Sequence, residues 1–356
     1  MKKKIAIIPG DGIGKEVIRE AAKVLDTLIR TRNLSLEIVS FDWGADKYLR
    51  EGVSLPEGAF DMFRREYHAI LIGAMGDPRV PSNQHAADIL LGIRFGLDLY
   101  VNQRPINLLD AKLCPLKSRK EEEINFVVFR ENTEGPYVSV GGNFKHGTPD
   151  EVAITEDVNT RKGVERILVH AFEYAKQHGL KKLCMSDKSN AMPHGHGLWQ
   201  RTFKSVRERY PGIESRHLFV DTLAMEMVRD PSQFEVIVAS NLLGDIISDL
   251  GAALAGGLGL SPSANLHPGE VSMFEPVHGS APPIAGKDLA NPMAAILSAA
   301  MMLDYVGEQK EAKRVEGAVA EAVRQGITTP DLGGDCGTKK VGDWIASFLE
   351  SAKDQK

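Results

Sequence analysis

The sequence predicts an α/β protein in which short strands alternate with amphipathic helices. Two observations carry that expectation. Apolar, often β-branched runs at 4–8, 36–41, 69–73, 124–129, 182–186 and 235–240 each end in a glycine-rich or polar loop. Between them, 15–30, 86–97, 160–178 and 199–209 read as helices, and a short strand at 217–220 ends at Asp221. With 356 residues the chain has material for two domains or one large one. No stretch reads as a linker, so a second domain requires crossings at ordinary elements near Leu99 and Ala255.

Taken in order, the first strand runs into Pro9-Gly10-Asp11-Gly12-Ile13-Gly14. A dinucleotide fingerprint needs a further glycine where Lys15 stands, so the match fails. The stretch is either a plain tight turn or a loop whose backbone lies close to a ligand. A second loop, Gly73-Ala74-Met75-Gly76-Asp77-Pro78, also follows a strand. Such loops gather at the carboxyl ends of strands, where ligands bind in open α/β sheets. Arg94, Arg104 and Arg130 stand near predicted loops. They are surface charges or a set for planar, bidentate recognition of carboxylates. Residues 138–156 are Gly-rich and then alternate, which fits an arm of strands. Lys188 lies just past a strand, as a solvated lysine or as a base whose pKa burial depresses. The His194-x-His196 pair has no carboxylate or Cys at useful spacing and reads as a structural loop.

Residues 241–250 form the most informative helix. Asn241 stands at the expected N-cap, and Leu242, Leu243, Ile246, Ile247 and Leu250 make the apolar face. Asp245 and Asp249 are neighbours one turn apart and repel. No Lys or Arg occurs between Arg229 and Lys287 to relieve them locally. Either the face is solvated or a hard divalent cation binds there. The chain then reads as loops through 261–265 and 273–283, followed by helices at 291–305, 310–324 and 341–353. A net charge of −5 gives no footprint for nucleic acid. Cys114, Cys184 and Cys336 form no metal or disulfide pattern, which suits a reducing cytoplasm. The apolar start is broken by Pro9 and Gly10, too soon for a signal peptide or membrane span.

Seven stretches in order closely resemble the β-decarboxylating dehydrogenases: IPGDGIG, IRFGLDLYVNQRP, RENTEGPY, SDKSN, VDTLAM, SNLLGDIISDL and EPVHGSAP. That family comprises 3-isopropylmalate, isocitrate, homoisocitrate and tartrate/D-malate dehydrogenases, and the resemblance spans essentially the whole chain. It implies an isopropylmalate/isocitrate dehydrogenase-like two-domain fold that is not a Rossmann fold. A discontinuous first domain, 1–99 and 255–356, would bind the dinucleotide. The second, 100–254, would carry metal and substrate residues, the dimer interface and the arm. By resemblance, Arg94, Arg104 and Arg130 grip the carboxylates of a malate core. Tyr137 protonates the enol, and Lys188 takes the hydroxyl proton. Asp245 and Asp249 ligate Mg²⁺ or Mn²⁺, with Asp221 given across a homodimer whose active sites are shared. Glu275, His278, Gly279, Ser280, Ala281 and Asn291 match the dinucleotide loop, with Asn190 near the nicotinamide ribose.

Specificity in this family rides on the helix before Arg94, which here carries Leu90 and Leu91. A third carboxylate would meet two leucines and Asp88, at a cost of roughly several kcal/mol without a partner. That disfavours isocitrate and homoisocitrate and favours an isopropyl group; the tartrate/D-malate branch shares the Leu-Leu pair. A non-catalytic hydroxy-acid binder would need the arginines and aspartates but neither Lys188 nor Tyr137. Where NAD-dependent members carry Asp after HGSAP and NADP-dependent ones a base, this chain has Pro283. The 2′-phosphate of NADP has no evident partner before Lys287. NAD is therefore expected to give the higher kcat/KM in a direct comparison, and a tenfold preference for NADP would reject this.

Overall fold

The computed structural model describes residues 2–351, and the chain divides into two compact units. The first takes the described residues through Leu99, then Asn107–Glu121, then those from Ala252 onward. The second takes Tyr100–Ile106 and Glu122–Gly251.

The first unit opens with β1 (Lys3–Ile8), α1 (Gly14–Arg32), β2 (Leu36–Ser40), α2 (Ala45–Glu51), α3 (Ala59–Glu66), β3 (Ala69–Ile72) and α4 (Gln84–Gly96). The second carries β4 (Val101–Asn107), β5 (Asn125–Glu131), β6 (Gly141–Phe144), β7 (Val152–Thr155), α5 (Arg161–Gln177), β8 (Lys182–Asp187), α6 (Gly195–Arg207), β9 (Glu214–Phe219), α7 (Val220–Arg229), β10 (Val236–Ala239) and α8 (Asn241–Leu254), except that the last residue of β4 and the last three of α8 fall to the first. The chain ends with β11 (Pro262–Leu266), β12 (Ser272–Pro276), α9 (Met293–Tyr305), α10 (Gln309–Arg324) and α11 (Thr338–Ser351). The helix expected at 341–353 is α11; residues 352 and 353 lie outside the described residues.

In the first unit the strands run β2-β1-β3-β12-β11. β1 is parallel to β2 and β3, β3 to β12, and β11 is antiparallel to β12. The AILI of β3 is buried throughout, as a parallel strand covered on both faces must be. α9 is apolar on all sides and correspondingly buried against β11 and β12, with α1 and α10 packed on it. Phe63, Trp43 and Tyr67 join Ile70, Ile72, Ile89 and Ile93 in one core cluster.

In the second unit the order is β4-β5-β10-β8-β9. β10 is parallel to β5 and β8, and β8 to β9. α5 covers β5, β8 and β10, and α6 packs beside it. β6 and β7 pair antiparallel as a separate ribbon that exposes Phe144, Val152 and Ile154.

Three expectations need correction. The stretches read as loops after Gly259 contain β11 and β12. Their residues, PSANL and SMFEP, carry no β-branched signal, but every one is buried, and pairing of β12 to β3 and of β11 to β12 fixes them as strands. Asp221 does not sit at a strand end but in the first turn of α7, one of three helices (with α2 and α3) that went unanticipated. Asn241 is the first residue of α8, not the one before it; the first bond of the helix is accepted by the Ser240 carbonyl, and the Asn241 side chain bonds Arg130 and the Glu134 carbonyl instead of capping.

His170 on α5 meets Phe129 edge-to-face at 5.1 Å, and its Nε2 is buried without a partner. Burial pushes its pKa from 6.5 down to about 4. A depressed histidine contributes stability above its unfolded pKa and loses it as pH falls toward the folded value. Acidification between those two values should remove about 3 kcal/mol through this residue alone. The urea midpoint of His170→Leu should accordingly fall less steeply than wild type over that window; equal slopes would contradict the assignment.

Candidate active site

Asp245 gathers the residues of the second unit. Arg130 Nη1 donates to its Oδ1 at 2.5 Å, and Arg104 Nη1 stands 3.0 Å from the same oxygen. Tyr137 Oη–H donates to Oδ2 at 2.8 Å. Neighbouring strands β4 and β5 supply the two arginines, both buried. Arg104 is aimed by Asn102 Oδ1 and Ser248 Oγ, each at 2.7 Å. Arg130 Nε donates to Asn241 Oδ1 at 2.9 Å, while Asn241 Nδ2 donates to the Glu134 carbonyl. Gly244 lets α8 lie close to β5, since a Cβ there would stand 2.8 Å from Arg130 Cβ. The Arg130 guanidinium lies 5.0 Å from the centre of the Tyr137 ring.

Positive charge for Asp245 and Asp249 therefore comes from Arg104 and Arg130, distant in sequence. Asp249 is half exposed and 3.6 Å from Arg104. Burial raises its carboxyl above the ordinary range, Arg104 opposes this, and Asp245 adds to it. Among the described residues no three His, Cys, Asp or Glu side chains assemble into a metal-holding group. Asp245 and Asp249 offer only hard oxygens, a donor set that fits Mg²⁺ or Mn²⁺ if further oxygens complete it.

Lys188 lies just past β8, and its Nζ donates to Asp221 Oδ1 at 2.6 Å. That bond holds the Asp221 carboxyl below its usual range. Asn190 is exposed in the following turn.

In the first unit three loops interlock. Gly10 and Gly12 both adopt positive φ, and a Cβ at Gly12 would stand 2.1 Å from the Ser280 carbonyl oxygen. Ile13 N–H donates to that same carbonyl at 2.9 Å. Asp11 is buried, and three donors meet its carboxylate: Ala45 N–H (2.7 Å), Gly76 N–H (2.9 Å) and His85 Nε2–H (2.7 Å). His278 Nδ1–H donates to the Gly279 carbonyl, leaving Nε2 buried and without a protein partner. Ser280 is buried, Gly279 exposed, and Ala281 left-handed at φ 38°. Asn291 is engaged at both ends, with Asp331 Oδ2 and Met293 N–H, so it shapes the start of α9. Glu16 accepts from Gly286 N–H beyond Pro283.

On α4, Leu90 and Leu91 are half-buried one turn before Arg94, and Leu90 packs on the core cluster. Asp88 accepts from Ser54 Oγ–H (2.7 Å) and Gln84 Nε2–H (2.6 Å). Asn102, Ser248, Asp11 and His85 were not anticipated in the site, and Asn241 was read only as a helix cap. Of these, Asp11 had a sequence signal in its place in the glycine turn and Asn241 in its place at the start of a helix.

A family model described as isocitrate/isopropylmalate dehydrogenase matches residues 4–345. The chain is 44% identical to a 3-isopropylmalate dehydrogenase of Thermobifida fusca over 96% of each chain. It is 44% identical to one of Corynebacterium kroppenstedtii over 98% of this chain and 100% of that one. Among solved structures it is similar to an isocitrate dehydrogenase from Methylococcus capsulatus, with a TM-score of 0.89 and 35% identity over 98% of this chain and 100% of that one.

Arg94 Nη2 donates to Glu275 Oε1 at 2.8 Å, and Asn265 Nδ2 donates to the same oxygen at 2.8 Å. Both charged side chains are 10% exposed. Removing one partner strands a buried charge. Arg94→Met should lower unfolding free energy by roughly 3–5 kcal/mol, read from urea denaturation, and Arg94→Met/Glu275→Gln should recover part of it. A single variant as stable as wild type would refute the pair's importance.

Proposed function

This chain belongs to the isocitrate/isopropylmalate dehydrogenase family, and on that footing we propose that it oxidatively decarboxylates 3-isopropylmalate, using NAD and Mg²⁺ or Mn²⁺. The observation that carries the substrate is the apolar face of α4 ahead of Arg94. With Asp88 held by Ser54 and Gln84, Leu90 and Leu91 offer hydrocarbon and no partner for a third carboxylate. An isopropyl group gains about 0.8 kcal/mol per methylene buried there. The names of the curated relatives support the same acid.

Arg94, Arg104 and Arg130 bind the malate carboxylates through paired N–H donors. Asp245 and Asp249 would hold the cation, with Asp221 of a second copy as a further oxygen ligand. Since Lys188 is bonded to Asp221, the copy that gives the aspartate also gives the lysine. When bound, the cation would acidify the 2-hydroxyl and polarise the resulting ketone, and NAD would take the hydride from C2. Lys188 accepts the hydroxyl proton and must be neutral to do so. Tyr137, an uncharged phenol, returns a proton to the enol left by loss of carbon dioxide. The loop carrying His278, Gly279, Ser280 and Ala281 would hold the dinucleotide, with Glu275 and Asn291 shaping it and Asn190 placed for the nicotinamide ribose. The orphaned His278 Nε2 fits a donor from such a ligand. Pro283 and the nearby Glu16 carboxylate favour NAD over a 2′-phosphorylated cofactor.

A panel of 3-isopropylmalate, D-malate, tartrates and isocitrate, with NAD and either cation, tests this reading. 3-Isopropylmalate should give the highest kcat/KM, and chelation should abolish turnover. Leu91→Ala should cost 3-isopropylmalate about 1–2 kcal/mol in kcat/KM, roughly fivefold to thirtyfold, while sparing D-malate. Faster turnover of isocitrate would overturn the assignment.

A further inference from the structure

We infer that His196 is a positioning residue for Lys188, its Nδ1 fixing the Lys188 main chain and so the point from which the amine reaches. The inference rests on Lys188 being the base.

β8 ends at Asp187, and the Lys188 N–H leaves the sheet ladder there. A main-chain donor buried without a partner costs about 1–3 kcal/mol. His196 stands in the first turn of α6 and not in the loop expected there; it returns eight residues along the chain and accepts from Lys188 N–H at 2.7 Å. The Lys188 carbonyl accepts from Ala191 and Met192 N–H, each at 2.9 Å. Both main-chain polar groups of the lysine are thereby pinned. The residue before it is pinned as well. Asp187 accepts from Ser189 N–H, His217 Nε2–H and Gln200 Nε2–H.

The imidazole is itself held. His196 is 1% exposed, and its Nε2 faces Asp157 Oδ2 at 3.7 Å. Asn159, two residues on, accepts from Trp199 Nε1–H at 2.8 Å and ties α6 to that segment. Accepting a main-chain N–H requires a lone pair on Nδ1, so the proton of the neutral ring is on Nε2. Burial holds the ring below its ordinary pKa, which keeps Nδ1 an acceptor at neutral pH. A lysine reaches its partner on four flexible methylenes, so its chain end is defined only as well as its Cα.

Two substitutions of similar polarity separate positioning from general packing. His196→Asn puts an acceptor oxygen near the place of Nδ1; His196→Gln puts it near the place of Nε2. The Asn variant should keep kcat within about threefold of wild type. The Gln variant should lose kcat roughly tenfold to hundredfold, with the KM of acid and cofactor little changed. Equal losses in both variants, or a Gln variant with wild-type kcat, would overturn the inference. Lys188→Met is measured alongside. If it keeps turnover, the assignment of the base fails and this inference with it. If it is inactive while the Gln variant is not, only the positioning role falls.

Discussion

Two aspartates one helical turn apart can stand on α8 because two buried guanidiniums stand opposite them, and the reverse dependence is equally strong. Arg130 and Arg104 are almost wholly removed from water, where an uncompensated charge is several kcal/mol too costly to keep. Asp245 answers both and also accepts the Tyr137 hydroxyl. β4, β5, the turn after β5 and α8 must therefore agree in register to within a fraction of an ångström. The smallness of Gly244, and the bridging amide of Asn241, follow from that demand.

The elements with periodic apolar patterns were legible: β1, β3, β5, β8, β10 and the long helices lie within a few residues of where the pattern puts them. β11 and β12 were not, because a strand held by its sheet neighbours needs no β-branched residues of its own. In the site, the types and spacing of Asp245 and Asp249 flagged α8 at once. Their counter-charges could not be found locally, since β4 and β5 bring them from over a hundred residues away. Asn241 illustrates the same limit. A cap residue at a helix start is the local expectation, but a buried guanidinium within reach makes a stronger, charge-assisted bond.

The first unit solves a different problem. Its loops carry few charges and meet main chain to main chain. A Cβ at Gly73 would stand 2.1 Å from the Pro9 carbonyl oxygen, and one at Gly10 would stand 2.3 Å from that of Ala74. With a Cβ at Gly12 only 2.1 Å from the Ser280 carbonyl oxygen, the Ser280 segment has little freedom either.

The Asp11 carboxylate joins these loops through two main-chain amides and one imidazole. Amides are common to nearly every amino acid, so residue 45 can be exchanged with no loss of its donor. Tolerance to drift is thus uneven across the cluster. Asp11 and His85 form an interdependent couple that must change together or not at all, and Gly44 and Gly76 are held by shape instead, since a Cβ at Gly44 would stand 2.7 Å from Asp11 Oδ1 and Gly76 has φ +124°.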